Sequence, residues 1–292
     1  MSLRQYEYAL AIAEEGSVTA AAERLRVAQP SISQQIRALE QELGVTLFGR
    51  TPQGLVPTVT GRAFLKEAEI AVSASRRARA AARAESGDLA GELVVAAQMG
   101  LGSRQLPVAL GALRRRYPAL AVTLFEESDP ADVERMARQG RLDLALVNAA
   151  PQRCGFEEHR LGVEPYVAIF GGGHPLLAAA TLTLADLAGE PWIRFTRGSV
   201  LEDLVSGALR EAGVTVTTVA RASQIVTAVR LAAEGVGITI VPAAAVPPGC
   251  EDHARTLEPP LSQPVIAAVR QHAGPAETAL LDLLRQQHWH DA

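Results

Sequence analysis

The chain has 292 residues, 48% of them hydrophobic and 21% charged, and carries a formal charge of −4. At about 100 to 200 residues per domain this accommodates two or three domains with full cores, and the composition excludes collagen-like, disordered and low-complexity classes. Without a run of about 18 uninterrupted apolar residues or a basic stretch leading into an apolar one at the start, the expectation is a cytoplasmic protein with no membrane partner.

Residues 3–15 read as an amphipathic helix with Leu3, Tyr6, Ala9, Leu10, Ile12 and Ala13 on one face, 18–26 as a second helix, and 30–43 as a third. Pro30 falls in the first turn of the third, where its missing N–H is not needed, and Gly44 ends it. Val45, Leu47 and Phe48 are strand-like, and 50–58 (RTPQGLVPT) is a Pro/Gly loop that suits a small wing. An Ala-rich helix, a break at 26–29 and a helix exposing Ser, Gln and Arg form the pattern of a helix-turn-helix DNA reader. Thr58 or Thr60 caps a long helix running to about Ser86, with Gly87 as its stop. Its stripe of Phe64, Leu65, Ala68, Ala71, Val72, Ser75 and Ala78 predicts pairing with another helix, and so a homodimer.

From Gly91 the texture changes. Strand-like Glu92 to Gln98, Ala121 to Glu126 and Leu142 to Val147 alternate with helical Arg104 to Tyr117 and Pro130 to Gln139. The pattern repeats with Trp192 to Phe195, a helix at Val200 to Ala212, Val216 to Ala220, a helix at Ser223 to Glu234, and Val236 to Val241. Regular alternation predicts parallel sheets covered by helices. A last strand, Pro264 to Val269, and the helix after Pro275 return to complete the first of two α/β units.

The N-terminal turns of a recognition helix meet base edges, which selects Gln29, Pro30, Ser31, Ser33 and Gln34 as base-facing residues. Arg37 and Arg50 are expected on phosphates, with Thr51 assisting, while Ile32, Ile36 and Leu39 are core. Residues 1–60 hold five Arg against six Glu, so non-specific affinity rests on well-placed rather than abundant cations. In the C-terminal part, Gly100, Leu101, Gly102 and Ser103 follow a strand and open a helix, as do Thr196, Arg197 and Ser199, and N–H groups there can receive an anion. Ser128, Asn148, Ser223 and Gln224 fall at carboxyl ends of strands, where open α/β sheets hold ligands. These positions make the candidate effector site, and the anion-friendly helix starts favour a carboxylated metabolite.

The run Ala13 to Thr51 (AEEGSVTAAAERLRVAQPSISQQIRALEQELGVTLFGRT), followed by Pro57 to Gly61 (PTVTG), resembles the N-terminal signature of LysR-type transcriptional regulators. The downstream order of elements agrees. The resemblance implies a winged helix-turn-helix, dominated by α-helix, at 1–58, a linker and dimerisation helix at 59–88, and a two-lobed α/β effector domain at 89–292 similar to a periplasmic binding protein. Lobe I would comprise about 89–163 and 265–292, and lobe II about 164–264. It further implies a small-molecule co-inducer held between the lobes, double-stranded DNA with partly palindromic promoter sites as partner, a homotetramer, and changed recruitment of RNA polymerase. Family members commonly carry Ser where this chain has Ala28 and a basic residue where it has Gln34. Gln pairs with adenine N6 and N7 and Arg with guanine O6 and N7, so a shifted target sequence follows.

Two other readings stand beside this one: a redox-sensing regulator acting through Cys154 and Cys250, and a small-molecule-binding α/β protein without a regulatory role. No nucleophile sits in a G-x-S-x-G context and no paired carboxylates are identifiable by spacing, so no enzyme is expected. His288 and His290 flank Trp289 without a third ligand, so neither metal nor other bound cofactor is expected.

Overall fold

A computed structural model describes residues 1–52, 54–84, 89–152 and 154–290. They form two units, Met1–Gly87 with Met136–Arg141, and Asp88–Arg135 with Leu142–Ala292.

The first unit contains α1 (Leu3–Glu15), α2 (Val18–Leu25), α3 (Gln29–Leu43), the hairpin β1 (Phe48–Thr51) and β2 (Gly54–Pro57), and α4 (Val59–Ala84). Local chemistry sets these boundaries. Ser2 and Gln5 cap α1 reciprocally, Ser17 Oγ accepts from Ala20 N–H at the start of α2, and Gly16 and Gly44 end α1 and α3 in the left-handed conformation that favours glycine. Ala28 supplies no side-chain cap to α3. Apolar side chains at helical spacing, Tyr8, Ala9 and Ile12 of α1, Ala21 and Ala22 of α2, and Ile32, Ile36 and Leu39 of α3, close one core with Leu47 and Leu65.

The wing is fastened at both ends. Leu55 N–H donates to Gly16 O at 2.8 Å, and Thr58 Oγ1 donates to Thr46 O at 2.7 Å while accepting Gly61 N–H at 2.9 Å, so Thr58 rather than Thr60 starts α4. Part of the α4 stripe is spent within this chain. Leu65 enters the core, and Phe64 meets Tyr6 edge-on at 5.3 Å between ring centres, because an apolar stripe does not encode whether its partner is in the same chain. Ala78 is exposed. The expected stop at Ser86 and Gly87 lies outside the described residues.

The remaining elements are β3 (Gly91–Gln98), α5 (Gln105–Arg116), β4 (Leu120–Glu127), α6 (Pro130–Arg138), β5 (Leu144–Val147), β6 (Phe156–Ile169), β7 (Thr181–Leu182), β8 (Pro191–Phe195), α7 (Val200–Glu211), β9 (Thr217–Ala222), α8 (Ile225–Ala233), β10 (Thr239–Pro242), β11 (Ala254–Leu257), β12 (Ser262–Arg270) and α9 (Pro275–Arg285). The expectation of parallel sheets needs correction. β4, β3 and β5 are parallel, but β12 runs antiparallel to β5, and β6 antiparallel to β12. The cause is β6, a 14-residue strand with no counterpart among the expected elements. Its first half carries Glu157, Glu158, His159 and Arg160 with no apolar run, since one of its faces meets solvent.

Two cores follow. One gathers Leu93, Val95, Leu113, Leu144, Leu146, Val265, Leu280 and Trp289, and the other Ile169, Phe170, Trp192, Leu201, Val205, Val229, Ile240 and Val241. β6 passes from one to the other: it pairs with β12 from Phe156 to Pro165, then with β10 from Tyr166 to Ile169. β12 makes the return, with a register shift between Val265 and Ile266. These two strands join lobe I, built on β3, β4 and β5, to lobe II, built on β8, β9 and β10. No helix of the described residues is long and apolar enough to cross a membrane.

Candidate DNA-binding surface and effector cleft

Burial of Ile32, Ile36 and Leu39 turns the opposite face of α3 outward. Gln29, Pro30, Ser31, Gln34 and Arg37 are exposed and Ser33 is half-buried. Arg50 is exposed at the wing, and Thr51 Oγ1 is used within the hairpin, donating to Gly54 O at 3.1 Å. Some of the unit's other charges are paired or bonded: Arg24 pairs with Glu14 and Glu15, the N-terminal ammonium with Glu42, and Glu40 accepts Leu47 N–H at 2.7 Å. Arg26 opens the break between the two helices, a position to which the sequence reading gives no DNA role. It ends α2 with φ 54 and stands exposed just before α3.

In the second unit the expected effector residues fall into two groups, one in each lobe, and many of their polar groups are bonded internally. From lobe I, buried Gln98 at the end of β3 accepts Asn148 N–H at 2.7 Å through Oε1. Leu101 N–H donates to Gln98 O at 2.9 Å, Gly100 N–H to Glu126 Oε1 at 3.3 Å, and Ser103 Oγ to Gly100 O at 3.0 Å. Leu101 is buried in lobe I, and a Cβ at Gly102 would lie 2.8 Å from Leu146 Cδ1. Those two positions therefore serve packing. Gly100 has φ +88, and a Cβ there would lie 2.7 Å from Pro242 Cγ and 2.8 Å from Ile225 Cδ1 of lobe II, so its missing side chain lets the lobes meet.

From lobe II, Ser199 caps α7, accepting Glu202 N–H at 3.2 Å and donating to Thr196 O at 2.9 Å. Val200 N–H, in the first turn of the same helix, donates to Ser128 O of lobe I at 3.2 Å. Arg197, Ser223 and Gln224 are exposed, and the Gln224 side chain caps nothing.

Behind this wall lies a network that sequence reasoning missed. Glu202, 7% exposed, accepts Arg194 Nη2 at 2.7 Å and Nε at 3.1 Å, Phe195 N–H at 3.2 Å and Arg221 Nη1 at 3.4 Å. Arg194 also reaches Ser206 Oγ. The Ser199-x-x-Glu202 spacing was the available signal, being that of a capping box, although here Glu202 reaches into the lobe. The cysteines belong to different lobes: Cys154 follows β5, and Cys250 precedes the 3₁₀ turn Glu251–His253 and packs on the lobe II core. Among the described residues no group of His, Cys, Asp and Glu suited to a metal ion occurs.

Two family models match this chain. The model described as bacterial regulatory helix-turn-helix protein, lysR family, covers residues 3–62, and that described as LysR substrate binding domain covers 86–289. The chain is 34% identical over 247 residues to the HTH-type transcriptional regulator ClcR of Pseudomonas putida, covering 83% of each protein. Its fold is similar to full-length OxyR from Pseudomonas aeruginosa, with a TM-score of 0.76, 26% identity, and coverage of 98% of this chain and 95% of that one. It is also similar to full-length CbnR in complex with its target DNA, with a TM-score of 0.68, 28% identity, and coverage of 98% and 99%.

Proposed function

The chain belongs to the LysR family of DNA-binding transcriptional regulators, and on that premise we propose how its own residues divide the work. Gln29, Pro30, Ser31, Ser33 and Gln34 read bases in a major groove, and Arg37 and Arg50 hold the flanking phosphates, with Thr51 stiffening the wing turn. The observation that carries this is the outward face of α3, where Gln29, Pro30, Ser31, Gln34 and Arg37 stand exposed opposite the buried Ile32, Ile36 and Leu39.

The C-terminal unit is the effector-binding part, with the ligand between the groups at Gly100, Ser128 and Asn148 and those at Thr196, Arg197, Ser223 and Gln224. A carboxylated metabolite suits the exposed Arg197 on the loop that opens α7, where the helix dipole adds to the guanidinium. Thermal-shift screening of organic acids against uncharged analogues tests this, because equal stabilisation by both would remove the carboxylate from recognition. Effector binding shifts the population of lobe arrangements, and the regulator in turn alters DNA geometry and polymerase recruitment. The working protein is a cytoplasmic homotetramer without catalytic activity, assembled as a pair of dimers.

Footprinting on DNA upstream of its own and neighbouring genes, with wild type and Gln34→Ala at two salt concentrations, is the decisive experiment. A protected, partly palindromic site whose base preference changes in the variant supports the reading. Protection that is identical in wild type and variant would remove Gln34 from base recognition. The redox reading makes a separate demand: mild peroxide must modify Cys154 or Cys250, which mass spectrometry reads directly.

A further inference from the structure

The point where the chain crosses between lobes holds a buried acid that neither the DNA surface nor the cleft wall uses. Glu164 lies on β6 at the end of its pairing with β12 and just before its pairing with β10, opposite Gln263. The crossing is built to bend: Pro165 and Pro264 flank this pair and donate nothing to the ladder, and the register shifts between Val265 and Ile266. Glu164 is 2% exposed. Its Oε1 accepts Ala244 N–H at 2.8 Å, and Ala244 belongs to the 3₁₀ turn Ala243–Ala245 that directly follows β10 in lobe II. A carboxylate on the crossing strand thus caps a turn of lobe II.

The groups around it are few. Arg104, the residue preceding α5, supplies positive charge from lobe I, and burial pushes the Glu164 carboxyl up to about 7 against the pull of Ala244 N–H and Arg104. Tyr166, two residues along β6, donates its hydroxyl to Gln263 Oε1 at 2.9 Å and is itself raised by burial and by Glu164. The turn offers only Ala243, Ala244 and Ala245, and β12 offers the neutral Gln263. The C-terminal segment meets the neighbouring residue through its backbone, Val163 N–H donating to His290 O at 2.9 Å.

We propose that Glu164 is a proton-operated latch of the interlobe hinge: protonated, it stays buried at the crossing against the 3₁₀ turn of lobe II, and ionised, its charge favours water over this buried site, which Ala244 N–H and Arg104 offset only in part, and the crossing loosens. The proposal rests on the reading of the cleft as the effector site, because it makes effector response depend on pH. Arg104 directly follows the Gly100–Ser103 loop, so ligand charge at that loop acts on the same proton.

The test is hydrogen–deuterium exchange of the full-length protein, without DNA or effector, read at the Ala244 amide between pH 5.5 and pH 8 after correction for intrinsic exchange. Wild type should lose about tenfold protection as pH rises from 5.5 to 8, because ionisation drives the buried carboxyl toward water. Glu164→Gln, uncharged at every pH, should keep the high protection throughout, with protection in β5 and β12 unchanged as the control for folding. A wild-type Ala244 amide whose protection is constant across this range overturns the latch. Because no DNA or effector is present, that failure leaves the regulator reading intact, whereas failure of the footprint leaves the latch intact as a property of the hinge.

Discussion

Glu202→Ala is the perturbation that most directly tests how the wall of the proposed effector site is held. The substitution removes the acceptor of four donors: two on Arg194, the Phe195 amide and one on Arg221. Arg194 has a side chain only 11% exposed, so its guanidinium is left as a buried charge, whereas Arg221, at 37%, is rehydrated and contributes little. Removing one partner of such a pair costs about 3–5 kcal/mol, and at about 2–4 °C per kcal/mol for a unit of this size the melting transition should fall by on the order of 10 °C. Arg194→Met should fall comparably. The double variant Arg194→Met with Glu202→Leu should recover most of the loss, since an apolar pair leaves no unpaired charge. Calorimetry or urea titration of the four proteins completes the cycle. Additive losses in the double variant would refute the pairing, and a Glu202→Ala protein within about 1 kcal/mol of wild type would refute the burial argument.

Three further outcomes are expected. Gly61→Ala places a Cβ 2.0 Å from Leu47 O, so the junction of wing and α4 must move, at a cost of about 1–3 kcal/mol or more, read as a lower urea midpoint together with weakened operator binding. Ala28→Ser gives α3 the side-chain cap it lacks and should stabilise the N-terminal unit by about 0.5–2 kcal/mol; an unchanged midpoint would show that the Ser hydroxyl does not reach the first-turn amides. For Glu164, the folded state holds its proton more tightly than the ordinary value of 4.5, up to about 7, so the group's stabilising contribution is full below 4.5 and is lost as pH rises through 7. The loss is about 3 kcal/mol, and Glu164→Gln should flatten that part of the stability–pH curve, as measured by urea unfolding from pH 4.5 to pH 8.

The N-terminal unit was legible because its determinants are local. Ser17, Gly16 and Gly44 act within a turn of the boundaries they set, and Ile32, Ile36 and Leu39 declare the inner face of α3 by spacing alone. β6 was hidden because its first half pairs with β12, more than a hundred residues later, while facing solvent with charged side chains. The cleft shows the same limit. Gly100 and Ser128 are recognisable as loop residues at strand ends, but nothing near Gly100 in sequence indicates that Glu126 would take its amide, or that Ser128 O would take Val200 N–H. Loop composition identifies positions that can bind a ligand; only the fold shows which of their donors the chain itself already uses.

That distinction bears on how an acidic protein reads DNA. In the first unit Glu14 and Glu15 neutralise Arg24, and Glu42 neutralises the N-terminus, so the acidic residues cancel cations at the edges of the bundle while Arg37 and Arg50 stay exposed beside the groove-facing residues. Each phosphate contact adds about 0.9 to the salt slope, so the few exposed cations near α3 and the wing, Arg26 with Arg37 and Arg50, supply a modest sequence-independent affinity. On the proposed reading, discrimination falls to Gln29, Ser31, Ser33 and Gln34, whose hydrogen bonds would form only when α3 is seated in register. Ala28, Thr58 and Gly61 set that register by fixing where α3 starts and where the wing meets α4.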